Sequence, residues 1–200
     1  VGRPAKFSND DIIAAATQVA ADHGPARASV ARIARALRAP TGSIYHRFAS
    51  RGEMLGEAWL QAAESFQNGF AERLLGAEPR SAGLCAVRWV PALVRAEPER
   101  ARVLTLYRRA DFLDRKWPRP LARRAQALQQ QMASGLREFG ARLSGRTDAE
   151  AMRILTFALA EAPLAAVRRH IEAREPPPPI VDALIEESYF ASLALLGIAR

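Results

Sequence analysis

Apolar residues recur at threes and fours along almost the whole chain and never in a sustained alternation of two, so the periodicity predicts helices and no sheet. The first stripe is Ile12, Ala16, Val19 and Ala20. Before it, Ser8 and Asp11 have the spacing of a capping box with Asp in place of Glu, and Phe7 is placed to staple onto Ile12. His23, Gly24 and Pro25 end that helix, His23 reading as a capping or surface residue rather than a ligand. A second stripe, Val30, Ile33, Ala34 and Leu37, opens at Ser29, whose hydroxyl can cap a free backbone N–H. Arg32, Arg35 and Arg38 fall on its other faces. Ala39 and Pro40 break the pattern, because proline keeps the residue before it out of helical geometry yet suits a helix start. A third helix of about two turns follows. Ile44 and Phe48 face inward on it, and Thr41, Ser43, Tyr45, His46 and Arg47 are left outside. Hydroxyls, an imidazole and a guanidinium on one short helix suit a DNA groove, where phosphates and base edges both take hydrogen bonds.

Longer helices come next. Ser50 can cap one running from Arg51 towards Leu75, with Met54, Leu55, Trp59, Phe66, Phe70 and Leu74 along it. Segments 80–96 and 98–109 carry their own apolar sets, and a proline-framed loop runs through Trp117, Pro118 and Pro120. The cleanest stripe is Leu121, Ala125, Leu128, Met132, Leu136, Phe139 and Leu143, which predicts a helix roughly 35 to 40 Å long. The last two helices, about 147–173 and 179–198, are apolar nearly all round, and such helices must be buried on more than one side. A subunit interface is the economical explanation. Pro163 predicts a kink in the first of the two, and Pro176 to Pro179 a stiff extended connector between them.

The run T-G-S-I-Y-H-R-F, followed by A-S-R-G-E-M-L, resembles the helix-turn-helix signature of the TetR family of bacterial one-component repressors. In that family a glycine, an aliphatic residue, a tyrosine, an aromatic or His, and a phenylalanine close the recognition helix, and a basic residue, here Arg51, opens the next. The resemblance covers roughly residues 3–60. It departs at Pro40, where many members carry a Ser or Thr cap. It implies an all-α chain in three parts. Residues 1–50 would form a three-helix DNA-binding head, with the motif at 29–48, followed by a connecting helix at 51–75 and an effector-binding and dimerisation domain at 76–200.

With the chemistry of the residues, the resemblance points to Ser29, Thr41, Gly42, Ser43, Tyr45, His46, Arg47 and Arg51 as DNA-binding residues, with Arg3 and Lys6 on a basic arm. Arg47 reads equally as a solvated side chain, and the arm equally as a frayed terminus. Loss of Arg51 is expected to lower the salt slope of binding by about one unit. Dimerisation in this family uses the last two long helices as a four-helix bundle, which selects Leu155, Leu159, Ala162, Ala166, Phe190, Leu193 and Leu196. Candidate effector-pocket residues are Trp89, Leu93, Tyr107, Phe112, Trp117, Met132, Phe157 and Glu161. The expected function is a ligand-responsive repressor that binds a palindromic operator as a homodimer and is released by a small molecule. The alternatives are a DNA-binding regulator without an effector and a helical enzyme with a DNA-binding head.

Charge sharpens this picture. The net charge is +8, and residues 1–51 hold eight Lys+Arg against three Asp, so +5 of it lies where the motif lies. Arg outnumbers Lys 27 to 2, a bias that explains the choice of Arg but not the asymmetry. The single cysteine, Cys85, excludes an intramolecular disulfide, and its neighbours Leu84, Ala86 and Val87 predict a buried, inert thiol. No apolar run reaches the length of a membrane span, and the polar, basic start V-G-R-P-A-K-F is not a signal-peptide pattern, so a cytoplasmic protein is expected. Catalysis finds little support. His23, His46 and His170 lie in unrelated segments, and there is neither a glycine-rich phosphate loop nor a G-x-S-x-G elbow, so no enzyme activity, metal or cofactor is expected. Glu161, an acid inside an apolar run, is open to three readings: a charge paired with Arg, a pocket residue or an acid–base group.

Overall fold

Several helix starts are written into the sequence as side chains that satisfy otherwise orphaned N–H groups. In the computed structural model, which describes residues 7–112 and 118–199, Ser8 Oγ accepts the Asp11 N–H at 3.1 Å and Asp11 accepts the Ser8 N–H at 2.8 Å. The Ser8 N–H and the Ser8 hydroxyl both donate to the Asp11 carboxylate and hold it below its ordinary range. These bonds open α1 (Asn9–His23), and Gly24 closes it at φ +82°. Ser29 Oγ accepts the Arg32 N–H at 3.2 Å and opens α2 (Val30–Leu37). Beyond the short α3 (Thr41–Tyr45), Ser50 and Glu53 repeat the reciprocal box at the head of α4 (Arg51–Leu74). There the Glu53 N–H donates to Ser50 Oγ at 3.0 Å and the Ala49 N–H donates to the Glu53 carboxylate at 2.7 Å. The Glu78 carboxylate takes the N–H groups of Ser81 and Arg80 and starts α5 (Pro79–Ala96), bonds that lower its pKa.

After α5 come α6 (Pro98–Leu106), a short 3-10 turn at Arg109–Phe112, and α7 (Arg119–Ser144). Then follow α8 (Ala149–Thr156), α9 (Ala162–Ala173) and α10 (Pro179–Ala194). No strand occurs among the described residues. The expected kink at Pro163 takes the form of a π-turn at Phe157–Glu161, where the Ala162 N–H reaches back to the Phe157 carbonyl. Proline cannot donate a helical hydrogen bond, and widening the preceding turn absorbs that defect without breaking the helix.

The helices form two compact units, residues 1–63 with 99–125, and residues 64–98 with 126–200. This differs from a division in chain order, because α6 and the first residues of α7 belong with the N-terminal helices. The reason is packing. Val103 and Phe112 are wholly buried in the core formed by Ile12, Ala16, Ile33, Ile44, Met54 and Leu55. The Tyr107 ring meets Phe112 edge-on at 6.3 Å and covers Gly24. Arg102 Nε donates to the Ala21 carbonyl at 2.9 Å, and Arg124 pairs with Glu57 at 2.7 Å. The helix α4 is continuous through both units, contributing residues 51–63 to the first and 64–74 to the second.

In the second unit α5 packs on α9 and α10, and α10 on α8 and α9. Tyr189 is fully buried against Gly83, donating its hydroxyl to the Arg80 carbonyl at 3.0 Å. Exposed pairs Arg88–Glu186 and Arg95–Asp182 join α5 to α10. Cys85 is exposed, contrary to the expectation of a buried thiol. Its sequence neighbours Ala86 and Val87 turn into the core, and one residue step of 100° around the helix carries Cys85 out of it.

Candidate nucleic-acid interface

The turn between α2 and α3 begins at Arg38, which caps α2 in the left-handed region at φ +53°, where glycine is the usual residue. The Ala39 N–H reaches back to the Ala34 carbonyl at 2.9 Å and closes the turn. Pro40 then starts α3 without a side-chain cap, its backbone at φ −63° and ψ 140°. Ile44 and Phe48 are buried beneath α3 and fix its orientation against α1 and α2. Everything else on α3 follows from those two anchors. Thr41, Gly42, Tyr45 and His46 are exposed and Ser43 is half-buried, with Tyr45 presenting 58% of its surface.

Gly42 is informative because the protein itself does not require it. A Cβ built there meets no atom within 4 Å, and its φ is not in the positive range. Neither a turn nor internal packing demands glycine at this position. Gly42→Ala is therefore expected to leave the melting temperature unchanged or slightly higher, since alanine favours the helix by about 1 kcal/mol. Duplex affinity, measured by fluorescence anisotropy, is expected to fall.

Two predicted DNA contacts are used differently. Arg51 is half-buried at the start of α4, and its guanidinium donates to three backbone carbonyls: Nε to Ala28 at 2.9 Å, and one terminal nitrogen to Pro25 and to Ala26. These bonds cross-link the turn between α1 and α2 to α4. Arg47 donates to Asn9 Oδ1 at 2.9 Å and ties the end of α3 to the start of α1. The expected arm residues Arg3 and Lys6 lie outside the described residues. Ser29 is exposed and already accepts its capping bond. Arg38 is the residue that sequence reasoning left out of the site. Its signal was present, an arginine where a helix needs a left-handed stop, and it stands exposed beside α3 together with Arg32 and Arg35 on α2.

These features place a hydroxyl-, imidazole- and arginine-bearing surface around one short, rigidly seated helix. Residues 12–58 match the family described as bacterial regulatory proteins, tetR family. Through this segment, the chain is similar to the TetR family. The described residues fold as helices without a strand. Solved structures of transcriptional regulators share the fold over nearly the whole chain. A transcriptional regulator from Rhodococcus sp. Rha1 is 20% identical, with a TM-score of 0.73 over 97% of this chain and 100% of that one. A TetR-like transcriptional regulator from the same Rhodococcus is 17% identical, with a TM-score of 0.71 over 96% and 99%. The fatty acid degradation regulator FadR from Bacillus halodurans is 19% identical, with a TM-score of 0.67 over 96% and 100%. No curated protein matches the chain in sequence.

The residues expected to line an effector pocket divide between the two units. Tyr107 and Phe112 belong to the first unit's core. Leu93 is buried in the second unit, and the Trp89 ring fills the space above Gly69 while Arg73 stacks on it at 3.9 Å. Met132 is half-buried, Phe157 and Glu161 are exposed, and Trp117 lies outside the described residues. A solvent-open depression of about 520 Å³ between the end of α4 and the start of α5 is lined by Glu72, Arg73, Glu78, Ser81 and Cys85, and by none of those eight.

The apolar residues expected at a subunit interface divide in a similar way. Leu155, Leu159 and Leu193 lie in the protomer's own core, at 0%, 0% and 1% exposure, so they have no surface left for a partner. Ala162, Ala166, Phe190 and Leu196 are half-buried. Among the described residues from α8 onward, the outward large apolar side chains are Phe157, Leu164, Ile180, Leu184 and Leu195. Among the described residues no group of three His, Cys, Asp or Glu side chains is placed to hold a metal, and no helix is long and apolar enough to cross a membrane.

Proposed function

We propose that the protein represses transcription as a homodimer that sets the two copies of α3 in successive major grooves of a palindromic site, about 34 to 36 Å apart. The observation that carries this reading is the outward face of α3, in which Thr41, Gly42, Tyr45 and His46 are exposed while Ile44 and Phe48 hold the helix from below. Tyr45→Ala removes exposed surface only. It is expected to weaken binding to duplexes from the DNA flanking the protein's own gene by about ten- to a hundredfold, with the melting temperature unchanged. Anisotropy titration and thermal melting of the same sample check both halves. Unaltered affinity would remove the basis of the reading.

Dimer formation is supported by the unpartnered apolar stripe on α10. Ile180, Leu184, Ala191 and Leu195 are all exposed and recur at helical spacing along one side, with Phe157 and Leu164 exposed on the preceding helices. Charging this stripe by Leu184→Glu with Leu195→Glu is expected to move the sedimentation coefficient from that of a dimer to that of a monomer and to weaken duplex binding. A wild-type chain that sediments as a monomer would refute dimerisation.

A small effector held by the second unit completes the proposal. Its support is a buried acceptor, the Gln67 side-chain oxygen, which receives no hydrogen bond. Buried polar groups are rarely left in that state. The likeness to a solved fatty acid degradation regulator suggests an amphipathic molecule as the first class to screen. A ligand that prefers the dimer state with the heads apart would disfavour the DNA-bound one and so release the operator. A compound that raises the melting temperature yet lowers duplex affinity is the expected result of such a screen.

A further inference from the structure

The two units differ in charge far more than the two parts of the sequence do. Residues 99–125 hold nine Lys+Arg against three Asp+Glu, a net +6, and residues 1–63 hold eight against five, a net +3. The second unit holds twelve against thirteen, a net −1. The positive excess of the chain therefore lies in the sequence segments that contribute the unit carrying α3. A general preference for arginine does not account for this, because the second unit balances its arginines with acids.

Residues 99–125 use some of these cations internally. Arg102 donates to the Ala21 carbonyl and Arg124 pairs with Glu57, which together with buried Val103 and Phe112 fasten the segment to α1 and α4. Others are turned out. Arg108, Arg119 and Arg123 are exposed and have no ion-pair partner among the described residues, and the same holds for Arg27. The adjacent acid does not neutralise them by pairing, since Asp111 accepts the Arg108 backbone N–H at 2.7 Å and serves the turn. The turn Arg109–Phe112 packs against the turn Pro25–Arg27, and Arg27 stands two residues before the Ser29 cap of α2. Arg108, next to the one turn, and Arg27, in the other, thus stand close to where the helix-turn-helix begins.

We infer that this surface is a second site for DNA phosphates, supplied by a segment remote in sequence from the helix-turn-helix. Arginine suits this role because its planar fork matches phosphate oxygens. Such contacts add affinity and salt dependence and carry no sequence information, so they act on duplex beyond the bases that α3 reads. The inference rests on the DNA-binding reading above and extends it to a different set of residues.

The test uses full-length protein and a mixed-sequence duplex of roughly 40 base pairs, with anisotropy titrations between about 50 and 200 mM salt. The triple variant Arg108→Gln, Arg119→Gln, Arg123→Gln is expected to lower the slope of log K against log salt by about two to three per protomer. Its melting temperature should match wild type, because the altered side chains are exposed. Arg137→Gln with Arg153→Gln, on exposed positions of the second unit, should leave the slope as it is. An unchanged slope in the triple variant, with wild type still binding, overturns this inference and leaves the DNA-binding reading intact. If that variant instead loses retention on immobilised polyglutamate while its DNA slope is unaltered, the surface serves an acidic protein and the inference is likewise overturned. Wild type that binds no duplex overturns the DNA-binding reading itself, and this inference with it.

Discussion

Gly83→Ala is expected to cost about 3 kcal/mol and to lower the melting temperature by roughly 6 to 12 °C. A Cβ at this position would stand 2.1 Å from the Tyr189 hydroxyl oxygen, 2.7 Å from Cζ of the same ring and 2.9 Å from the Phe139 ring. All three neighbours are rigid core atoms, Tyr189 and Phe139 being at most 1% exposed, so α5 has to move away from α10. Alanine's better helix propensity, about 1 kcal/mol, opposes this loss and does not offset it. Tyr189→Phe offers a specific check. Alone it removes a hydrogen bond to the Arg80 carbonyl and should cost about 1 kcal/mol. Combined with Gly83→Ala it should cost less than the sum, because the nearest clashing atom has gone. Additive losses in chemical denaturation would show that the close approach is not what restricts the site to glycine.

Arg51→Ala is expected to cost about 2 kcal/mol and some 4 to 8 °C in melting temperature, while the salt slope of duplex binding changes by less than half a unit. Removing the guanidinium leaves the carbonyls of Pro25, Ala26 and Ala28 without their donor and frees the turn between α1 and α2 from α4. Arg51→Lys should recover little of the loss, since one ammonium cannot reproduce a planar fork spread over three acceptors. Thermal melting and salt titration of both variants separate this role from a phosphate contact, which would lower the slope by about one and spare stability.

Arg51 shows where reading the chain in order fails. Its spacing after the third helix marked it as special, and the residue type suggested phosphate. Its partners lie more than twenty residues back, and no local pattern discloses them. Cys85 failed for a simpler reason: apolar neighbours in sequence do not share a face on a helix. Leu155, Leu159 and Leu193 were read as interface because their helices are apolar all round. Such a helix is buried on several sides, and composition alone does not say which side meets the protomer's own core. The effector-pocket residues were chosen as conspicuous aromatics and acids of the second half. Two of them, Tyr107 and Phe112, are bound into the first unit instead.

The sequence by itself determined the helices, their caps, the breaks at Gly24 and Pro40, and the outward polar side of α3. These depend on residues within a few positions of one another, so periodicity and capping chemistry are sufficient to specify them. Only the tertiary structure decided that residues 99–125 join the unit that carries α3, that Arg51 is a cross-link, and that Ile180, Leu184 and Leu195 are left exposed. Those outcomes depend on which stripe covers which, a competition among distant surfaces for the same buried area that no local pattern records.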